Sequence, residues 1–160
     1  MQQLELRQRV FRDPRYFVAF GCGSGLLPWM PGTWGTALAI PLYLVLSPLS
    51  WWAYLTVVLI FAVFAAWVSD VLSKEMHTHD DPGMNIDEFV GYLVTMFLAP
   101  HSWLAILLGF GYFRLFDILK PWPIGWVDKN VGGGVGMILD DVLAGIAACL
   151  MLQLTWYFIF

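Results

Sequence analysis

Long apolar runs separated by short polar or Pro/Gly-rich breaks set the plan of this chain. Residues 37–46 follow Pro31-Gly32-Thr33-Trp34-Gly35-Thr36 and end at Pro48. Trp51 to Val68 is a second run, a third opens on Asp87 and Glu88 and reaches Ala99, and Trp103 to Leu119 is the fourth. Val142 to Phe160 carries no charge and is the last. Each predicts a membrane helix, although the third falls short of the ~20 residues a full span needs. Tyr16 to Met30 is apolar but interrupted by Gly21, Gly23, Gly25 and Pro28. Such a stretch predicts a re-entrant or interfacial segment whose glycines allow close helix approach. The expected fold class is all-α: one domain over 1–160, a polytopic membrane helical bundle of about five spans plus that N-terminal segment.

Composition points the same way. Hydrophobic residues make up 59% of the chain and charged ones 12%, about half the charged share of an ordinary soluble domain. Residues 1–15 form a basic polar lead with Arg7, Arg9, Arg12 and Arg15, and no cleavable signal peptide is recognised there. All Lys and Arg (7, 9, 12, 15, 74, 114, 120, 129) fall in the N-terminus or beside alternate connections, and the acidic residues fall with them. The positive-inside rule then predicts a cytoplasmic lead over 1–15, a membrane core over 16–160 and an outer C-terminus. Cys22 and Cys149 belong to no Cys-x-x-Cys pair and are read as packing residues. Gly21 to Gly25 lacks the Lys-Ser/Thr of a nucleotide loop, and no nucleic-acid partner is expected.

The candidate chemistry therefore gathers on one membrane face. Arg114, Asp117 and Lys120 are spaced as a drifting helical stripe, which Pro121 and Pro123 terminate. Carboxylates come from Asp80/Asp81, Asp87/Glu88 and Asp140/Asp141. Asp87 and Glu88 can be macrodipole partners at a helix start, but two of them beside Asp80 and Asp81 exceed what capping requires. The loop with His77 and His79 has metal-ligand chemistry but is also an ordinary polar loop. A thiolate-free, oxygen-rich set suits Mg²⁺, which often bridges to phosphate. Arg114, Lys120 and Lys129 add positive charge for phosphate oxygens. Thr33 and Thr36 open either a phosphate-holding helix start or a small-residue packing turn.

Four motifs together carry a resemblance: Pro-Gly-Thr-Trp-Gly-Thr at 31–36, Asp-Glu-Phe-Val-Gly at 87–91, Phe-Arg-x-x-Asp-x-x-Lys-Pro-Trp-Pro-Ile at 113–124 and Asp-Asp at 140–141. In this order, from about Gly21 to Gly145, the chain resembles the phosphatidylglycerophosphatase A family. The resemblance implies a Mg²⁺-dependent lipid phosphatase of the bacterial inner membrane. Its reaction would remove the terminal phosphate of phosphatidylglycerophosphate, leaving phosphatidylglycerol. The matching motif residues here are Asp80, Asp87, Glu88, Arg114, Asp117, Lys120, Asp140 and Asp141. The expected roles are Asp80, Glu88, Asp140 and Asp141 at the metal and Asp87 or Asp117 in catalysis. Thr33, Thr36, Arg114, Lys120 and Lys129 would take the substrate.

Motifs of other lipid-phosphate enzymes are missing: there is no N-terminal Asp-x-Asp, no Ser-Gly-His signature and no Asp-Gly-x-x-Ala-Arg. Two routes for the chemistry remain, an aspartyl-phosphate or a water activated by metal and a carboxylate base, and the second is preferred. The non-enzymatic alternatives are an ion-coupled transporter and a non-catalytic lipid-binding membrane protein, because charges in membrane helices also mark transport paths. A transport path needs polar groups through the bilayer's depth. Segments 37–46, 53–66 and 142–160 offer almost none.

Overall fold

A computed structural model describes residues 3–77 and 81–159, so Asp80 and His79 lie outside the described residues. The described residues form helices and turns without a strand. In order these are α1 (Gln3–Arg12), α2 (Pro14–Ala19), a 3₁₀ turn (Gly21–Leu26), α3 (Pro31–Leu46), α4 (Trp51–Met76), α5 (Ile86–Thr95), α6 (Trp103–Leu119), α7 (Ile124–Asn130) and α8 (Gly133–Ile159).

Local sequence sets most of the boundaries. Pro14 and Pro31 occupy the first turns of α2 and α3, where the missing N–H costs nothing. Asp13 caps α2 by accepting the Arg15 N–H at 2.9 Å, and Ser102 caps α6 by accepting the Leu104 N–H at 3.2 Å. Before Pro121, α6 stops at Leu119, and Lys120 takes a left-handed conformation with φ 41°. Lys120 therefore leaves the expected stripe, because the helix that would have aligned it with Arg114 and Asp117 has ended. Gly133, Gly134 and Gly136 form the first turn of α8.

α5 is the short centre of the bundle, with eight of its ten residues buried. It packs against α3, α4, α6 and α8, and α8 packs in turn against α4, α6 and α7. Gly91 makes the closest approach possible: a methyl group there would overlap the Phe113 ring of α6 and lie 2.9 Å from the Asp141 carbonyl of α8. Tyr43, Tyr54 and Tyr92 fill the far half of the same core, where the Tyr54 hydroxyl donates to Leu93 O at 2.7 Å.

Helices α3, α4, α5, α6 and α8 alternate in direction. One end of the bundle collects the head of α5, the tail of α6 and the first turns of α8. At the other end, Ser47, His101 and Ser102 from two connections border one cavity, and Gln153 donates to Leu98 O at 2.9 Å. Two helices, α4 and α8, are long and apolar enough to cross a bilayer, against the five expected. α3 and α6 have 16 and 17 residues and α5 has ten, and at 1.5 Å per residue α5 covers only about 15 Å. Trp52, Ile60, Val63, Leu150 and Leu154 leave the outer faces of α4 and α8 apolar.

Candidate active site

The head of α5 carries Asp87 and Glu88 into the charged end of the bundle. There they meet Asp117 from α6, Lys120 from the following turn, Asp128 from α7, and Asp140 and Asp141 from α8. All seven line one cavity of about 210 Å³. Local structure explains the convergence. Asp87 and Glu88 occupy the first turn of α5, where Asp87 Oδ1 accepts the Glu88 N–H at 2.9 Å. Asp140 and Asp141 enter because the glycine-rich start of α8 seats against α4: a methyl at Gly134 would lie 2.8 Å from Asp70 Cβ.

Two ionic arrangements divide the site. On one side Arg114 Nη1 donates to Glu88 Oε2 and lies 2.9 Å from Asp117 Oδ2. Thr36, fully buried, places its hydroxyl 2.9 Å from the same Glu88 oxygen and 3.0 Å from Gly32 O. On the other side Lys120 Nζ donates to Asp140 Oδ2 at 2.7 Å and to Asp128 Oδ1 at 2.5 Å. Burial alone would lower the pKa of this ammonium, but the bonds to Asp128 and Asp140 outweigh it and hold Lys120 above its ordinary value. The cation stays protonated throughout the neutral range.

Two carboxylate oxygens remain unanswered among the described residues. Asp140 and Asp141 are 5% and 4% exposed, yet Asp140 Oδ1 and Asp141 Oδ2 are buried without a hydrogen-bond partner. An unpaired carboxylate oxygen in a buried site is costly unless a cation or donor completes it. Among the described residues no three His, Cys, Asp or Glu side chains stand close enough together to hold an ion unaided. Mg²⁺ does not require that. It characteristically uses one or two carboxylates and takes its remaining oxygens from water and substrate phosphate. The orphaned oxygens of Asp140 and Asp141, two residues of the same cavity lining, are the kind of ligand such an ion takes.

The other expected site residues fall into clear groups. Glu88 lines the cavity but is engaged by Arg114 and Thr36. Thr36 is a partner of Glu88 rather than a cavity wall, and neither Thr33 nor Arg114 is among the cavity-lining residues. Lys129 is exposed on α7 and also lies outside the cavity wall, whereas its neighbour Asp128 lines it. His77 is exposed at the end of α4, with Nδ1 2.9 Å from Lys74 O. Cys22 is exposed with φ 57°, so it does not pack as expected, while Cys149 is half-buried and donates to Phe97 O at 3.4 Å.

Asn85 is the residue that sequence reasoning overlooked. It is 1% exposed and stands immediately before α5. Its backbone N–H donates to Ala19 O at 3.0 Å, and its side-chain amide donates to Ser24 Oγ and Pro31 O, each at 2.9 Å. One residue thus ties α2, the 3₁₀ turn and the start of α3 to the helix that bears Asp87 and Glu88. An Asn before an Asp-Glu pair is a recognisable cap signal, but its distant partners have no mark in the sequence.

Carboxylates, a lysine and an arginine gathered at one end of apolar helices are the groups that a phosphate-handling helical protein uses. Transporters need polar groups through their depth, and here the far halves of the long helices carry no Asp, Glu, Lys or Arg. The family model described as phosphatidylglycerophosphatase A matches residues 17–156. The phosphatidylglycerophosphatase A of Escherichia coli is 38% identical over 135 residues, covering 84% of this chain and 78% of that protein. That of Haemophilus influenzae is 36% identical over 141 residues, covering 87% and 86%. A Bacteroides thetaiotaomicron protein, provisionally described as a phosphatidylinositol-3-phosphatase, is 33% identical over 144 residues, covering 84% and 89%. No solved structure shows a significant match. The chain belongs to the phosphatidylglycerophosphatase A family, a family of phosphatases.

Proposed function

We propose that this protein hydrolyses the terminal phosphate of phosphatidylglycerophosphate to give phosphatidylglycerol, with Mg²⁺ as cofactor and the acidic cavity as its active site. The observation that carries this reading is the pairing of two orphaned carboxylate oxygens, on Asp140 and Asp141, with a fixed cation, Lys120, on one cavity wall. Asp140 and Asp141 would hold the metal. When bound, Mg²⁺ supplies charge neutralisation for the phosphate and makes a coordinated water more acidic. Lys120, protonated and held by Asp128 and Asp140, gives a point charge for a phosphate oxygen. Asp87 and Asp117 face the same space, and either is placed to take the proton from an attacking water. Arg114 acts from behind by fixing Glu88 and Asp117.

The same reading sets the protein in a bacterial inner membrane with the charged end on the cytoplasmic side. α3, α5 and α6 would complete five crossings beside α4 and α8, the bilayer thinning around the shorter helices. Phosphate release by the purified protein from phosphatidylglycerophosphate, with and without Mg²⁺, is the direct test. Phosphatidylinositol 3-phosphate is the comparison substrate, chosen for the name of the third relative. Preferential, Mg²⁺-dependent release from phosphatidylglycerophosphate is expected. Faster turnover of the inositol lipid, or none of either, overturns the reading.

A further inference from the structure

The acidic cavity has a larger neighbour. A second cavity of about 540 Å³ lies between α1, the 3₁₀ turn and the turn at 81–83, and Pro82 lines both. Their chemistry is opposite. Leu6, Phe20, Leu27 and Pro28 make the second cavity largely apolar, and Arg7 is the cation on its wall. Arg7 has no ion pair or hydrogen-bond partner among the described residues. Arg15, by contrast, is tied to Asp13 and Glu75. Asp81, a carboxylate on this wall, accepts the Gly83 N–H at 2.9 Å through Oδ1. Beyond the cavity the exposed side chains of Leu27, Trp29 and Met30 continue an apolar path outward.

We propose that this second cavity is the subsite for the phosphodiester and glycerol backbone of the lipid, with Arg7 as counter-ion to the diester. The proposal rests on the phosphatidylglycerophosphate reading above. That substrate carries two phosphates of unlike kind, a terminal monoester and, one glycerol unit away, a diester joined to an apolar diacylglycerol. The monoester matches a polar cavity with a metal site and Lys120. The diester cannot share that space, because the remaining carboxylates there repel it. It matches the Arg7 guanidinium, unpaired among the described residues, on an apolar wall reached past Pro82, and the acyl chains follow the apolar path outward. The order of groups along the lipid is the order of the two cavities. Arg7 is then a specificity-determining residue, since a lipid monoester without a diester leaves it unused.

The test compares Arg7→Gln, Arg7→Lys and Arg9→Gln in neutral detergent micelles, where no anionic surface attracts α1. Arg9 is an exposed residue of the same helix that does not line the cavity. One arm measures KM and kcat for phosphatidylglycerophosphate; the other measures equilibrium binding of short-chain phosphatidylglycerol, which keeps the diester and lacks the terminal phosphate. Arg7→Gln is expected to raise KM about tenfold with kcat unchanged, the factor expected from losing one charge-assisted bond. It should weaken phosphatidylglycerol binding by the same factor. Arg7→Lys should recover part of both, and Arg9→Gln should match wild type. Equal KM in wild type and Arg7→Gln overturns the subsite, as does an equal loss in Arg9→Gln. If the wild type releases no phosphate, the binding arm decides: Arg7-dependent binding keeps the subsite while the functional reading falls, and binding indifferent to Arg7 overturns both.

Discussion

Arg114 on α6 reaches across to Glu88 at the head of α5, and the same Nη1 lies 2.9 Å from Asp117 on its own helix. One guanidinium therefore fixes two of the carboxylates that line the acidic cavity. A lysine at this position keeps the charge, but its ammonium is a compact point charge on a stem one bond shorter than the path to Nη1. Arg114→Lys is expected to lower kcat/KM by roughly 10²-fold, the cost of misplacing reacting groups by about an ångström. A steady-state assay checks this, and activity equal to wild type would reduce Arg114 to a structural counter-ion.

Gly32 makes this arrangement possible. A methyl there would overlap the Glu88 carboxylate and lie 3.1 Å from Arg114 Nη1. Gly32→Ala should thus displace Glu88 and cost activity comparable to Arg114→Lys, about 10²-fold. Because both changes act on the same contact, the double variant should lose little more than either one alone. Additive losses in that cycle would show that Gly32 acts elsewhere.

Asp141 predicts a conflict between stability and function. Its Oδ2 has no partner and its carboxylate is buried near Asp87, Glu88, Asp117 and Asp140. Asp141→Asn removes the cost of keeping an acid among those carboxylates, so in chelator the variant should melt higher than wild type, by about 2–4 °C for each kcal/mol relieved. It should also lose Mg²⁺-dependent turnover. Added Mg²⁺ should raise the melting temperature of wild type and leave the variant unmoved. A variant that melts lower in chelator and still responds to Mg²⁺ contradicts the assignment.

Sidedness can be measured with single cysteines in a Cys22→Ser, Cys149→Ser background, needed because Cys22 is itself exposed. A cysteine at exposed Lys129 should react only from the cytoplasm, and one at Ser102 only from outside. Reaction of both from one side would break the inner-face reading.

Acid quenching during turnover of lipid labelled in its terminal phosphate separates the two chemical routes. No label is expected on the protein. Retained label that disappears in Asp87→Asn or Asp117→Asn would establish an aspartyl-phosphate.

Much of this was legible in the sequence because it rests on local rules. Pro31 starts α3, Pro121 ends α6, and Arg114 meets Asp117 at the i,i+3 spacing that suits a pair on one helix. The Asp-Glu and Asp-Asp pairs fall into one cavity as their shared end of the apolar runs implied. What was not legible depends on packing between distant segments. The sequence leaves Thr36 between a phosphate-holding and a packing position, because its bond to Glu88 is fixed by how α3 lies on α5. Lys120 was assigned to a helical stripe, yet one left-handed residue before a proline turns it toward Asp128 and Asp140. Hydropathy alone gives five crossings, but α5 stops at Thr95, short of its apolar run to Ala99, and α3 and α6 are 16 and 17 residues long.

The N-terminal arm is fastened at two points that obey different physics. Arg15 grips Glu75 on the surface, with both side chains about two-fifths exposed, whereas Asn85 holds Ala19, Ser24 and Pro31 through uncharged bonds in the interior. Dissolved ions screen the first, over a Debye length of about 8 Å at physiological salt, and do not reach the second. Rising ionic strength therefore loosens the outer clasp while the inner knot stays tied. The arm's buried side chains, Val10, Tyr16, Ala19 and Phe20, are as indifferent to salt as that knot, so ionic strength tunes the surface tie alone.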